Sequence, residues 1–236
     1  MKKIISLFLV NLCLSVILFA QSKSESLFYL ARPAKVSHAK TPLLLLLHGV
    51  GSNEADLFSF AQQLPDRYLV VSVRAPFVIS QGSYKWYDLD FSNGQPKGNP
   101  EQAEKSRQML LKFIEELRQK YTFDTQQVYM CGFSQGAIMS FAAGLTRPDK
   151  VRGVIALSGR ILDETKKNVA PKAQLKTLQT LVIHGTKDEV LPIHHARQSQ
   201  QFLKAQSVLM EYHELPLGHS ISNETLNLMN TWLLKR

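Results

Sequence analysis

A serine held between two glycines at the end of an apolar run is suited to attack a carbonyl carbon. In VYMCGFSQGAIMS, Val128 to Ser140, the first residues read as a buried strand, and the spacing after Ser134 turns helical. A hydroxyl on such a sharp strand-to-helix turn projects above the sheet, and Gly132 and Gly136 keep side chains out of the crowded backbone around it. The helix start behind it offers free N–H groups and partial positive charge where a negative oxygen would form. By itself the G-x-S-x-G pattern also describes a glycine-flanked helix cap, so the partners matter.

A serine is a poor nucleophile near neutral pH and needs a base, which in turn needs an orienting carboxylate. Asp188 in HGTKDEVLP and His219 in LPLGHSIS each follow a predicted strand, in the chain order serine, aspartate, histidine. Glu189, adjacent, and Asp163, in the preceding loop, are rival carboxylates. The other histidines suit different work. His48 and His184 each end an apolar strand before a glycine and read as supports for loop backbone; His194 and His195 open a helix after Pro192; His213 falls in an edge strand and His38 in the N-terminal segment. No H-E-x-x-H or paired-cysteine spacing points to a metal, and no cofactor is expected. An oxyanion needs two donors, one of them the N–H after the nucleophile, Gln135. LLLHGVGSNEADL supplies the second, because the tight turn after His48 can aim the Val50 N–H into the site.

These residues need a sheet to place them. PLLLLLH (42–48), YLVVSV (68–73), QVYMCG (127–132), VRGVIALS (151–158) and QTLVIHG (179–185) are continuous apolar runs, as expected of parallel strands covered on both faces; SVLMEYHEL (207–215) alternates and suits an edge. The clearest helix starts at an Asn99 cap with Pro100 behind it and Gln102 three residues on, and buries Met109, Leu110, Phe113, Ile114 and Leu117. Alternating strands and helices imply an α/β domain with a mostly parallel sheet. Two long connections, 75–98 and 159–178, fall where function collects.

The 236 residues suit one domain. Residues 1–20, with Lys2 and Lys3 before an apolar run ending at Ala20, read as a signal peptide, leaving 21–236 as an exported chain, periplasmic or secreted. Retention of that segment would make it a membrane anchor. Cys13 lacks the small residues of a lipidation site before it, and Cys131 is then the sole cysteine, so no internal disulfide is expected. The net charge of +9 is scattered among acids with no nucleic-acid motif, which argues for solvated faces.

The set LHGVGSNEADL, APFVISQGSYKWYD, GFSQGA, HGTKDEVLP and GHS resembles the phospholipase/carboxylesterase branch of the α/β-hydrolase fold, from about Pro42 to the C-terminus. The resemblance implies Ser134 as nucleophile, Asp188 as orienting acid, His219 as base, and the Val50 and Gln135 N–H groups as the oxyanion hole. It implies a serine hydrolase of carboxylic esters, a lysophospholipase or acyl-thioesterase being the alternative, and the polar connection at 159–178 favours small to medium esters. A catalytically inactive binding protein would show damage to these residues, and none is visible. Trp86, Tyr87 and Ile161, in the two long connections, are the candidates for binding the ester. DETKKNVAPKAQLK is too polar and short for a large lipase lid.

Overall fold

The computed structural model describes residues 27–36, 41–90, 92 and 97–236. The expected leader at 1–20, its cleavage point, His38 and Phe91 lie outside the described residues. In chain order the elements are β1 (Tyr29–Arg32), β2 (Leu43–Leu47), α1 (Ala55–Phe58), β3 (Leu69–Val73), β4 (Phe77–Ser80), β5 (Ser83–Lys85), β6 (Leu89–Asp90) and β7 (Lys97–Gly98). There follow α2 (Pro100–Lys120), β8 (Val128–Phe133), α3 (Gln135–Thr146), β9 (Gly153–Leu157), α4 (Asp163–Lys167), α5 (Lys172–Leu175), β10 (Gln179–Gly185), α6 (His194–Ala205), β11 (Leu209–Leu215) and α7 (Asn223–Leu234).

Seven strands form one sheet in the order β1-β3-β2-β8-β9-β10-β11, parallel throughout except that β1 runs against β3. Its strands read as unbroken apolar runs because each face is covered. Along β2, Leu43, Leu45 and Leu47 join the core beneath α2 and α3, while Leu44 and Leu46 join the core beneath α1 and α7. The chain crosses between adjacent parallel strands through helices, so the loops that leave the carboxyl ends of β2, β8, β9, β10 and β11 all emerge on one edge.

The edge strand β11 lies where its alternation placed it, but β1 is an element that the sequence did not announce. The Asn99 cap is present, its side chain accepting from the Gln102 N–H at 3.0 Å. The reciprocal half of a capping box is not. Gln102 instead donates to the Asp88 carboxylate at 2.8 Å and accepts from the Asp88 N–H at 2.6 Å, tying the long 75–98 connection to the helix start. That connection is folded into two small antiparallel hairpins, β4–β5 and β6–β7.

Candidate active site

Strand β8 delivers Ser134 to the carboxyl edge in a conformation that few residues adopt, φ 54° and ψ −116°. Strain of about 1–3 kcal/mol is expected for a serine held there, so the surroundings must enforce it. They do. The Ser134 N–H donates to the Leu157 carbonyl at 2.9 Å, and its own carbonyl accepts from Ile138 at 3.1 Å. A Cβ on Gly136 would overlap the Leu47 carbonyl, and one on Gly132 would overlap the Gly136 backbone, so the elbow closes only with glycine at both places. The Ser134 side chain makes no capping bond to α3, which leaves its hydroxyl for other partners.

Asp188 and His219 come together across the ends of β10 and β11. The His219 Nδ1–H donates to Asp188 Oδ2 at 2.7 Å, and Asp188 Oδ1 accepts from the N–H groups of Val190 and Leu191 at 3.0 and 2.8 Å. With one oxygen held by backbone and the other by imidazole, the buried carboxylate fixes both the tautomer and the tilt of His219. The His219 ring lies against Phe133, centroids 4.8 Å apart, beside the nucleophile's own strand. Neither rival carboxylate reaches it: Asp163 is exposed and paired with Lys166 at 2.8 Å, and Glu189 points into solvent.

Val50, Tyr87, Ser134, Gln135, Ile138 and Leu191 line one groove of about 120 Å³, open to solvent and mostly apolar. Among the described residues, no protein acceptor takes the N–H of Val50 or of Gln135. The Val50 turn is pinned from behind. The Gly51 N–H donates to the Tyr84 carbonyl and the Tyr84 N–H to Ser52, both at 2.8 Å, so the β4–β5 hairpin holds the loop that carries Val50. Gln135 contributes more than the backbone donor expected of it. Its side chain accepts from the Trp86 N–H at 2.7 Å and donates to the Tyr87 carbonyl at 2.8 Å, locking the second hairpin segment over α3.

Two of the three residues expected to touch substrate lie elsewhere. Trp86 is fully buried, its indole N–H donating to the His48 carbonyl at 2.9 Å, and Ile161 is buried in the core with its N–H on Ser199 Oγ at 3.1 Å. Both are anchors of the loops, because apolar bulk at a loop root finds core sooner than groove. Tyr87 does line the groove, and burial pushes its phenol pKa up. Leu89, Ile138, Val190, Leu191 and Arg160 complete the lining and were not singled out in the sequence; only their position in loops or at a helix start after the strand ends could have suggested them.

His48 and His184 support loops. His48 Nδ1–H donates to the Gly49 carbonyl at 2.7 Å while Nε2 accepts from Ala75 at 3.0 Å, and His184 Nε2–H donates to the Leu191 carbonyl at 2.7 Å, 3.4 Å from Asp188. Burial lowers the pKa of both below the ordinary histidine value. The unfolded chain therefore takes up these protons first, near pH 6.5, and the stability the neutral rings provide is complete above that pH and lost as pH falls below it. The unfolding free energy should drop between pH 7 and pH 5, and His48→Gln should flatten that slope by up to about 1.4 kcal/mol per pH unit. An unchanged slope in the variant would show that His48 titrates normally.

Residues 33–236 match the phospholipase/carboxylesterase family. A probable carboxylesterase, SOBER1-like, from Arabidopsis thaliana is 29% identical, over 100% of this chain and 95% of its own. An acyl-protein thioesterase 1 homolog from Dictyostelium discoideum is 26% identical over 84% of this chain and 91% of its own. The crystal structure of esterase PE8 superposes with a TM-score of 0.77 at 27% identity, covering 89% of this chain and 99% of that one. With its seven-stranded sheet and serine elbow, the chain has the α/β-hydrolase fold; it belongs to the phospholipase/carboxylesterase family and is a carboxylesterase-type hydrolase.

Proposed function

We infer that the protein hydrolyses carboxylic esters of small to medium acyl chain through Ser134, His219 and Asp188. The observation that carries this reading is the strained Ser134 elbow opening on the same carboxyl edge as a buried Asp188 already bonded to His219 Nδ1. Ser134 Oγ attacks the ester carbonyl carbon as its proton passes to His219 Nε2, and the carbonyl oxygen, now negative, takes hydrogen bonds from the Val50 and Gln135 N–H groups. The C–O bond breaks, the alcohol leaves with the proton from His219, and an acyl-Ser134 ester remains. Water then gives a proton to His219, attacks that ester, and releases the acid as Ser134 recovers its hydrogen.

The groove supports a limited chain length. A fully buried methylene contributes about 0.8 kcal/mol, roughly fourfold in rate per carbon. In a groove of about 120 Å³ only the first few carbons find apolar cover. The connection at 159–178 holds two short helices, α4 and α5, with a mainly exposed polar surface. An acyl-thioesterase or lysophospholipase reading uses the same residues, and the thioesterase names of several relatives favour weighing it. The leader at 1–20 would place the enzyme outside the cytoplasm.

A fluorophosphonate probe followed by intact-mass and peptide mapping tests the core of this reading. One adduct on Ser134 is expected, on a mature chain starting near Gln21. In a series of 4-nitrophenyl esters and matched thioesters, kcat/KM should rise over the first carbons and then level, with esters preferred. Labelling elsewhere would remove Ser134 from the mechanism, and a steep preference for sixteen-carbon thioesters would move the substrate to long acyl thioesters.

A further inference from the structure

One cation in the groove has no carboxylate within salt-bridge distance among the described residues. Arg160 follows β9, on the carboxyl edge, and lines the Ser134 groove together with Val50, Tyr87 and Leu191. It also lines an adjoining cleft of about 270 Å³ bordered by Lys97, Asp163 and Glu164. Among the described residues it has no salt bridge, and its Nε is buried with no hydrogen-bond partner. Other arginines here behave differently: Arg74, Arg107, Arg147 and Arg197 each hold a carboxylate with a two-nitrogen fork. A guanidinium with no carboxylate partner keeps the donors of its two terminal nitrogens for something that arrives.

We propose that Arg160 binds a carboxylate carried by the ester substrate, so that the preferred substrates are anionic monoesters, an inference that rests on the Ser134 reading above. A planar fork matches a carboxylate bidentately, and the apolar lining of Val50, Tyr87, Leu89, Ile138 and Leu191 lowers the competition from water for that bond. The charges around Arg160 select the size of the anion. Asp163 and Glu164 line the adjoining cleft beside it, with Asp163 turned to Lys166 at 2.8 Å, and would repel a phosphate dianion more than a single carboxylate. Lys97 across the adjoining cleft adds attraction, and His195, whose pKa burial and then the neighbouring His194 and Arg160 push down to about 4, adds no charge beside the guanidinium near pH 7. The carboxylate can stand on either side of the scissile bond, in the acyl chain or in the alcohol.

Two substrate pairs separate these sources: mono-(4-nitrophenyl) adipate against 4-nitrophenyl heptanoate for the acyl side, and 4-acetoxybenzoate against phenyl acetate for the alcohol side. The quantity read is the ratio of kcat/KM for the anionic to the neutral member. Arg160→Gln should lower that ratio about tenfold or more in at least one pair, as a charge-assisted bond is lost, and Arg160→Lys should recover part of it. In the unaltered protein the same ratio should fall when sodium chloride is raised from about 20 mM to about 500 mM. A structural prop would lower both members alike, so an unchanged ratio in both pairs, or no salt dependence, overturns the inference while the hydrolase reading stands on the neutral esters. Hydrolysis of no ester, with no fluorophosphonate adduct on Ser134, overturns the hydrolase reading itself and the inference with it.

Discussion

Ser134→Ala should lower kcat on an acetyl or butyryl ester by about 10⁶-fold and abolish fluorophosphonate labelling, with the fold intact. On the proposed mechanism the hydroxyl is the attacking atom, and it makes no capping bond whose loss would disturb α3. Alanine in the same left-handed conformation replaces serine with no larger group, so the thermal midpoint should move little. His219→Ala should cost about as much, and the double variant no more than either, because base and nucleophile act as one unit. Asp188→Asn should cost less, about 10⁴-fold. Its remaining oxygen satisfies the Val190 and Leu191 N–H groups, which turns the new amide NH₂ toward His219 Nδ1. Nδ1 must then accept, and Nε2 carries the proton that it ought to receive from Ser134. If Asp163→Ala proves more damaging than Asp188→Asn, the orienting acid has been misassigned. Single-turnover kinetics on the purified variants decide among these outcomes.

The hierarchy is available because the site residues sit at strand ends, and strand ends are what a sequence shows well. PLLLLLH and QTLVIHG announce themselves by unbroken apolar residues, a pattern that both cores impose on every inner strand. Once those strands are fixed, Ser134, Asp188 and His219 can only fall on one edge. Strand β1 escaped for the opposite reason. YLAR is four residues long, half-buried in its middle, and paired antiparallel at the rim, so its apolar signal is no stronger than a loop's. The groove walls were harder still. Arg160 is one basic residue among 28 lysines and arginines, and what marks it is its place in the Ser134 groove with no carboxylate in salt-bridge range, which no local pattern encodes. Gln135 was legible as a backbone donor through its place after the nucleophile, but its amide grips residues 48 and 49 positions earlier in the chain.

Trp86 shows most plainly where local reading stops, and it carries the second large expected effect. Its place in a long connection makes it a candidate for binding the ester. Buried as it is, Trp86→Ala should instead destabilise the protein by about 3–5 kcal/mol, the range for emptying a large aromatic site in a packed core. For a domain of this size that is a fall in the thermal midpoint of roughly 10 °C or more. The loss has a functional edge. The indole N–H holds the His48 carbonyl, His48 Nδ1–H holds Gly49, and the next residue is Val50, so removing the ring loosens the turn proposed to present an oxyanion donor. Activity on every ester should therefore fall together, whatever the acyl length. Trp86→Phe keeps most of the volume but leaves that buried carbonyl without its donor, and should lose about 1–3 kcal/mol. Urea denaturation of both variants, read beside kcat/KM across the chain-length series, distinguishes the two roles. A stable Trp86→Ala protein whose only change is a flattened length dependence would return the tryptophan to the substrate.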